Sequence, residues 1–188
     1  LRDLSLHILD IMQNSTAAQA GLIRATLLAK PETGMLDVII EDDGSGMDEK
    51  LLAVVTDPFT TTRTTRKVGL GIPLFKASAE RSGGSFEIKS HRGAGTVVRA
   101  EFEITNIDRP PLGDLAGVIT DMAAAWPGAD IQLILEDGGA RFEFSSREAA
   151  GILGGVPLSE FAVVKWLREY IYDGIKEIFG GVLNEIDS

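Results

Sequence analysis

Apolar and polar residues change their period several times along this chain, and each change marks an element. Leu4, Ile8, Ile11, Met12 and Ser15 fall on one side of a helix, which predicts a helix from about Leu4 to Ala20, closed by Gly21. LIRATLLA and MLDVIIE, separated by KPETG, read as two strands around a turn. The glycine-rich DDGSGM leads into DEKLLAVV, a short helix with acidic residues in its first turn. TDPFTTTRTTRK is rich in hydroxyls and cations but has no periodicity, so it reads as a loop. GLGIPLFKASAERSGG reads as a helix, with Pro73 tolerated near its start and glycines at its end. SFEIKS and TVVRAEFEI are alternating strands joined by the turn HRGAG.

The pattern then breaks. NIDRPPLG reads as a linker, because paired prolines block helix and sheet alike. This places a domain boundary between residues 1–105 and 106–188. Beyond it the chain predicts a helix near Asp114 to Ala125, a hairpin IQLILE–DGGA–RFEFSS, and helices to the end. The longest helix, roughly Ser159 to Phe179, puts Phe161, Val164, Leu167, Ile171, Ile175 and Ile178 on one stripe. The fold class expected is α+β: a two-layer sandwich with a mixed, mainly antiparallel sheet covered on one face by helices, plus a small C-terminal α+β unit.

Composition narrows the functional classes. A chain of 188 residues with 44% hydrophobic and 24% charged residues is an ordinary globular protein with room for a sizeable core. The formal net charge of -10 argues against nucleic acid as a partner, since phosphate binding wants a basic face. The absence of cysteine excludes disulfides, thiolate zinc sites and cysteine catalysis, and two histidines do not make a histidine-rich metal centre. No apolar run is long enough to cross a bilayer and no basic-then-apolar leader opens the sequence, so the expected compartment is the cytoplasm, without membrane partners.

Four polar features carry candidate chemistry, and each has a bland reading. His7, Asp10 and Asn14 stack on one helical face, which alone is a solvated stripe. In EDDGSGM, Asp42 ends a strand expected to be buried, where an unpaired carboxylate is costly; a ligand amino group would relieve it. Alone, this is a strand-ending turn. In TTTRTTRKVGLGI, Gly69 and Gly71 precede a helix whose free N–H groups favour anions, and Arg63, Arg66 and Lys67 could contact phosphates. The alternative there is a mobile cationic loop. HRGAGT is by itself an ordinary hairpin turn.

In this order and spacing, the four features resemble the GHKL ATPase superfamily of gyrase, heat-shock chaperone, histidine kinase and MutL proteins, over about Leu4 to Ile104. The resemblance implies ATP or ADP and magnesium as ligands. Asn14 in LDIMQNSTAAQAG matches the asparagine that binds the metal, and Asp42, Gly44, Gly46 and Met47 match the loop whose aspartate recognises the adenine amino group. Thr60, Thr61, Thr62, Arg63, Arg66, Lys67, Val68, Gly69, Leu70 and Gly71 fall in the ATP lid, and Gly93, Gly95 and Thr96 match a GxGT turn. There are departures. Histidine kinases often have a third glycine where Lys67 stands, and a basic residue where Ala17 stands. In the gyrase, chaperone and MutL branches a glutamate four residues before the asparagine is the general base. Asp10, one methylene shorter, occupies that place, either as catalytic base or as an organiser of the magnesium ion's water shell.

The outcome of ATP binding is open between three readings: a regulatory switch or slow ATPase acting on a protein partner, a kinase phosphorylating a partner in trans, and a sensor without turnover. His7 and His91 lack a phosphoacceptor pattern and read as structural or surface residues. Glu136, Asp137, Glu143 and Glu148 read as surface charge, and Trp166 and Tyr170 as core aromatics or partner anchors. A homodimer is compatible with the sequence but not specified by it.

Overall fold

The computed structural model describes residues 3–55, 70–181 and 183. Its centre is one six-stranded sheet in the order β3-β4-β2-β1-β5-β6. The strands are β1 (Leu22–Lys30), β2 (Met35–Asp42), β3 (Phe86–Ser90), β4 (Thr96–Glu103), β5 (Asp130–Glu136) and β6 (Arg141–Ser145). The helices are α1 (Leu4–Ala17), α2 (Glu49–Val55), α3 (Gly71–Arg81), α4 (Leu115–Ala125), α5 (Ser146–Ile152) and α6 (Phe161–Phe179). β1 runs parallel to β5 and antiparallel to β2; the remaining neighbours are antiparallel. The mixed, mainly antiparallel sheet of the α+β class is therefore present.

Strict alternation gives the sheet one apolar face. Ile23, Ala25, Leu27 and Ala29 of β1 are buried, in register with Leu36, Val38 and Ile40 of β2 and with Ile131, Leu133 and Leu135 of β5. α1, α3, α4 and α6 pack on this face, and Phe75, Phe102, Leu115, Ile119 and Phe179 close the core fully. The opposite face carries ion pairs. Asp37 is buried beneath Lys30 and Arg99, each 2.7 Å from its Oδ2.

The segment expected to be a linker is a loop that docks: Leu4 and Ser5 donate their backbone N–H groups to Pro111 and Leu112. The hairpin β5–β6 then extends the same sheet from β1, so hydrogen bonding runs unbroken from residues before the loop to residues after it.

Three local expectations are corrected. α1 ends at Ala17, not Ala20, because Gln19 adopts the left-handed conformation (φ 58°) that was expected of a glycine. On α6, Phe161 is 81% exposed, and the buried stripe runs through Val163, Leu167, Ile171, Gly174, Ile175, Ile178 and Phe179. Phe161 opens the helix before it reaches the core. Trp166 and Tyr170 are not core residues: they are 51% and 44% exposed and stack on each other with ring centroids 5.7 Å apart.

Candidate nucleotide site at the end of the first helix

α1 holds its buried side, Leu4, Ile8, Ile11 and Met12, against the sheet, and Asp3 fixes its start by accepting the Leu6 N–H at 2.9 Å. The adjoining side presents Asp10 and Asn14 one turn apart. Asn14 faces a cavity of about 430 Å³ bounded by α1, the end of β2, the loop after it, α2 and the start of β4. Asp42, Gly46, Met47 and Thr96 share that lining. Ile11, Leu51, Ile72 and Val98 give it apolar walls, and Ala17 and Ala18 line its rim. A flat apolar group with a polar edge fits such a space.

Asp42 is half-buried rather than fully buried, and neither of its oxygens is idle. Oδ2 accepts the Ser15 hydroxyl at 2.6 Å, and Oδ1 accepts the Gly44 N–H at 2.9 Å. Each oxygen keeps a second lone pair, so the carboxylate is oriented and still able to accept from a ligand. The protein thus supplies part of the compensation that the sequence assigned wholly to a ligand.

The loop after β2 is pinned on both sides. Ser45 donates its N–H to Ala18 and accepts the Gly93 N–H at 2.8 Å. Met47 N–H donates to the buried Ser90 hydroxyl at 2.8 Å, and that hydroxyl donates to the Gly95 carbonyl at 2.9 Å. Glycine is required where the two loops touch. A Cβ on Gly46 (φ 63°) would stand 1.9 Å from the His91 carbonyl oxygen, and one on Gly95 (φ 79°) 1.9 Å from that of Asp42. Asp48 caps α2. The Leu51 N–H outweighs desolvation and, with Arg92 at 3.0 Å, holds its carboxyl below the usual range.

Asp10 and Gly71 meet at the crossing of α1 and α3, beside the cavity: a Cβ on Gly71 would lie 2.8 Å from the Asp10 Cβ. Leu70 precedes α3 and is exposed. Thr60, Thr61, Thr62, Arg63, Arg66, Lys67, Val68 and Gly69 lie outside the described residues. His7 is buried and stacks on Phe75, with centroids 5.3 Å apart, in a structural position; His91 is exposed in its turn.

Sequence reasoning missed Ser15, Ser45 and Ser90. Ser15 had a visible signal, since it is a hydroxyl within an apolar stripe, next to Asn14. Ser90 had none, because a serine ending a strand before a turn is commonplace.

The family profile described as histidine kinase-, DNA gyrase B-, and HSP90-like ATPase matches residues 1–106. The C4-dicarboxylate transport sensor protein DctB of Pseudomonas aeruginosa is 31% identical over 100 residues, which cover 53% of this chain and 16% of that protein. The histidine protein kinase DivJ of Caulobacter vibrioides is 27% identical over 107 residues, covering 55% and 18%. The match therefore spans less than a fifth of either relative. A solved N-terminal domain of a DNA repair protein superposes with a TM-score of 0.56 at 12% identity, over 83% of this chain and 58% of that one. This likeness is one of fold, and it reaches past residue 106. No helix among the described residues is long and apolar enough to cross a membrane. Through a match that covers more than half its length, the chain belongs to the histidine kinase-, DNA gyrase B- and HSP90-like ATPase family.

Proposed function

We propose that the chain binds magnesium-ATP in the cavity beside α1 and acts as an ATP-dependent regulatory switch, or slow ATPase, on a protein partner. The observation that carries the binding step is the oriented Asp42 carboxylate at the end of an apolar cleft that also contains Asn14. An adenine presents a flat apolar face and an exocyclic amino donor, which matches the cleft walls and the free lone pairs of Asp42.

Magnesium prefers oxygen ligands and keeps several waters, so the Asn14 side-chain oxygen and the nucleotide's own phosphates are a sufficient donor set. The ion would neutralise phosphate charge in any transfer step. Asp10, one helical turn from Asn14, is the residue assigned to orient or deprotonate an attacking water. The start of α3, beside Asp10, offers backbone N–H groups toward phosphate.

The test is calorimetric titration with ATP and magnesium, together with phosphate release. Wild type should bind and turn over slowly. Asp42→Asn should bind ATP roughly tenfold to a hundredfold more weakly, and Asp10→Ala should keep binding and lose turnover. An absence of binding heat for wild type would remove the proposal. Equal turnover by wild type and Asp10→Ala would remove only the role of Asp10.

The histidine protein kinase DivJ among the relatives favours a second reading, phosphoryl transfer to a partner protein. Terminally labelled ATP distinguishes it: label would appear on a partner protein instead of being released as inorganic phosphate.

A further inference from the structure

We propose that β6 is a self-complementary docking edge, through which a second copy of this chain extends the sheet by antiparallel pairing centred on Phe142. β6 is the outermost strand on its side, with β5 as its neighbour. An open edge offers unpaired N–H and C=O groups to another chain.

The register follows from the hairpin. Asp137 donates its N–H to the Ala140 carbonyl, which makes that pair a hydrogen-bonded one. Alternation then makes Leu135–Phe142 and Leu133–Phe144 bonded pairs, while Arg141 and Glu143 turn their backbone groups away from β5. Among the described residues, those outward groups have no backbone partner.

The sequence around Phe142 reads Arg141, Phe142, Glu143. In antiparallel pairing about Phe142, Arg141 of one copy lies opposite Glu143 of the other, twice by symmetry. Both have backbone groups that point outward, so charge complementarity and hydrogen-bonding phase are satisfied together in this register. Pairing centred on Glu143 would instead oppose two carboxylates. Within one copy Arg141 already pairs with Glu136 and Glu143, so both acids are oriented toward that face.

The helix layer supplies an apolar flank. α6 approaches β6 closely at Gly174, where a Cβ would stand 2.5 Å from the Phe142 ring. Phe142 in turn contacts Tyr170, with centroids 5.3 Å apart, and Tyr170 stacks on Trp166. Arg168 reaches back to Asp114 at the cap of α4. At about 3.6 residues per turn, Trp166 and Tyr170, two residues to either side, point away from α4. This is the side of β6 and its open edge. Exposed, mutually stacked aromatics are the residues that anchor protein interfaces. The other edge strand, β3, has a comparable alternation at Glu87 and Lys89, but no exposed aromatic stands on β3 or α3.

Sedimentation of the purified chain over a range of concentrations, without nucleotide, tests the pairing independently of the ATP site. The wild type should sediment as a dimer that dissociates on dilution. Glu143→Arg and Arg141→Glu should each halve the mass, and the double swap should restore the dimer. Hydrogen exchange needs no variant: the Arg141 and Glu143 amides should slow several-fold at dimer concentrations relative to dilute protein. A wild type that stays monomeric overturns the proposal. So do a dimer indifferent to both single swaps, a double swap that remains monomeric, and amides whose exchange ignores concentration.

Discussion

Ser15 and Asp42 form a 2.6 Å hydrogen bond that joins the sheet-facing side of α1 to the end of β2. The bond orients the carboxylate on which the proposed adenine recognition depends, so the two residues should differ in how severely their loss acts. Asp42→Asn replaces an acceptor by a group that also donates, facing the Gly44 N–H and a ligand amino group. A lost bond to a charged group costs about 1.5–3 kcal/mol, so ATP affinity should fall roughly tenfold to a hundredfold. Ser15→Ala removes only the orienting donor and should cost about 1 kcal/mol, roughly fivefold. Calorimetry on both variants checks the order; a larger loss for Ser15→Ala would contradict it.

Gly46 and Gly95 should tolerate alanine poorly for a shared reason. Both have positive φ, and both would drive a Cβ into a carbonyl oxygen across the contact, that of His91 for Gly46 and that of Asp42 at the end of β2 for Gly95. Gly93 also has positive φ (75°), but its Cβ would meet nothing within 4 Å. Gly93→Ala should therefore show the backbone cost alone, about 1 kcal/mol, whereas Gly46→Ala and Gly95→Ala should lose roughly 3 kcal/mol or more and weaken ATP binding as the loops separate. Urea unfolding of the three variants makes the comparison, and equal midpoints would show that the loops yield freely.

How much of this was legible depends on whether a residue's neighbours are near in sequence. The alternation in β1 and β2 and the stripe in α1 report burial directly, and these elements stand close to where periodicity puts them. Asn14, Asp42, Gly46, Met47 and Thr96 were singled out by motif and do line one cavity. The parallel pairing of β1 with β5 was not legible, because Asp130–Glu136 alternates as any strand does and the prolines before it signal an interruption. Ser90 escaped for the same reason: its contacts are to Met47 and Gly95, and only the folded loops bring these together. Phe161 misled because a helical stripe gives direction around the axis but not how far along it the core extends.

Gly71→Ala tests whether the crossing of α1 and α3 matters to chemistry beyond stability. The new Cβ would lie 2.8 Å from the Asp10 Cβ, an atom fixed to the backbone, so the helices must part. Overpacking of this kind costs about 1–3 kcal/mol. Asp10 and the start of α3 would separate from each other and the Ile72 wall would shift with α3, while Asp42, at the end of β2 and holding the Gly44 N–H, would stay in place. Phosphate release should fall by more than ATP affinity does. Equal loss of both, measured on the same preparation, would show that Gly71 acts only through the fold.

Asp130 should give the fold a distinct acid limb. Burial alone would push its carboxyl up, but the Gln132 side-chain amide at 2.7 Å, the Arg147 N–H at 3.1 Å and the Ser145 hydroxyl at 2.8 Å outweigh that and hold it below its ordinary value. The folded pKa is thus lower than the unfolded value of about 3.9, so the carboxylate's contribution is complete above that value and lost as pH falls through the folded one. Asp130→Asn keeps the shape but gives up the charged acceptor, at the junction where β5, β6 and α5 meet. It should destabilise by about 1–3 kcal/mol at neutral pH. The deficit should narrow below about pH 4, because only the wild type then loses a favourable ionisation. Urea unfolding of both proteins across this range checks the sign, and parallel curves down to the lowest pH would show that the Asp130 network contributes shape and not charge.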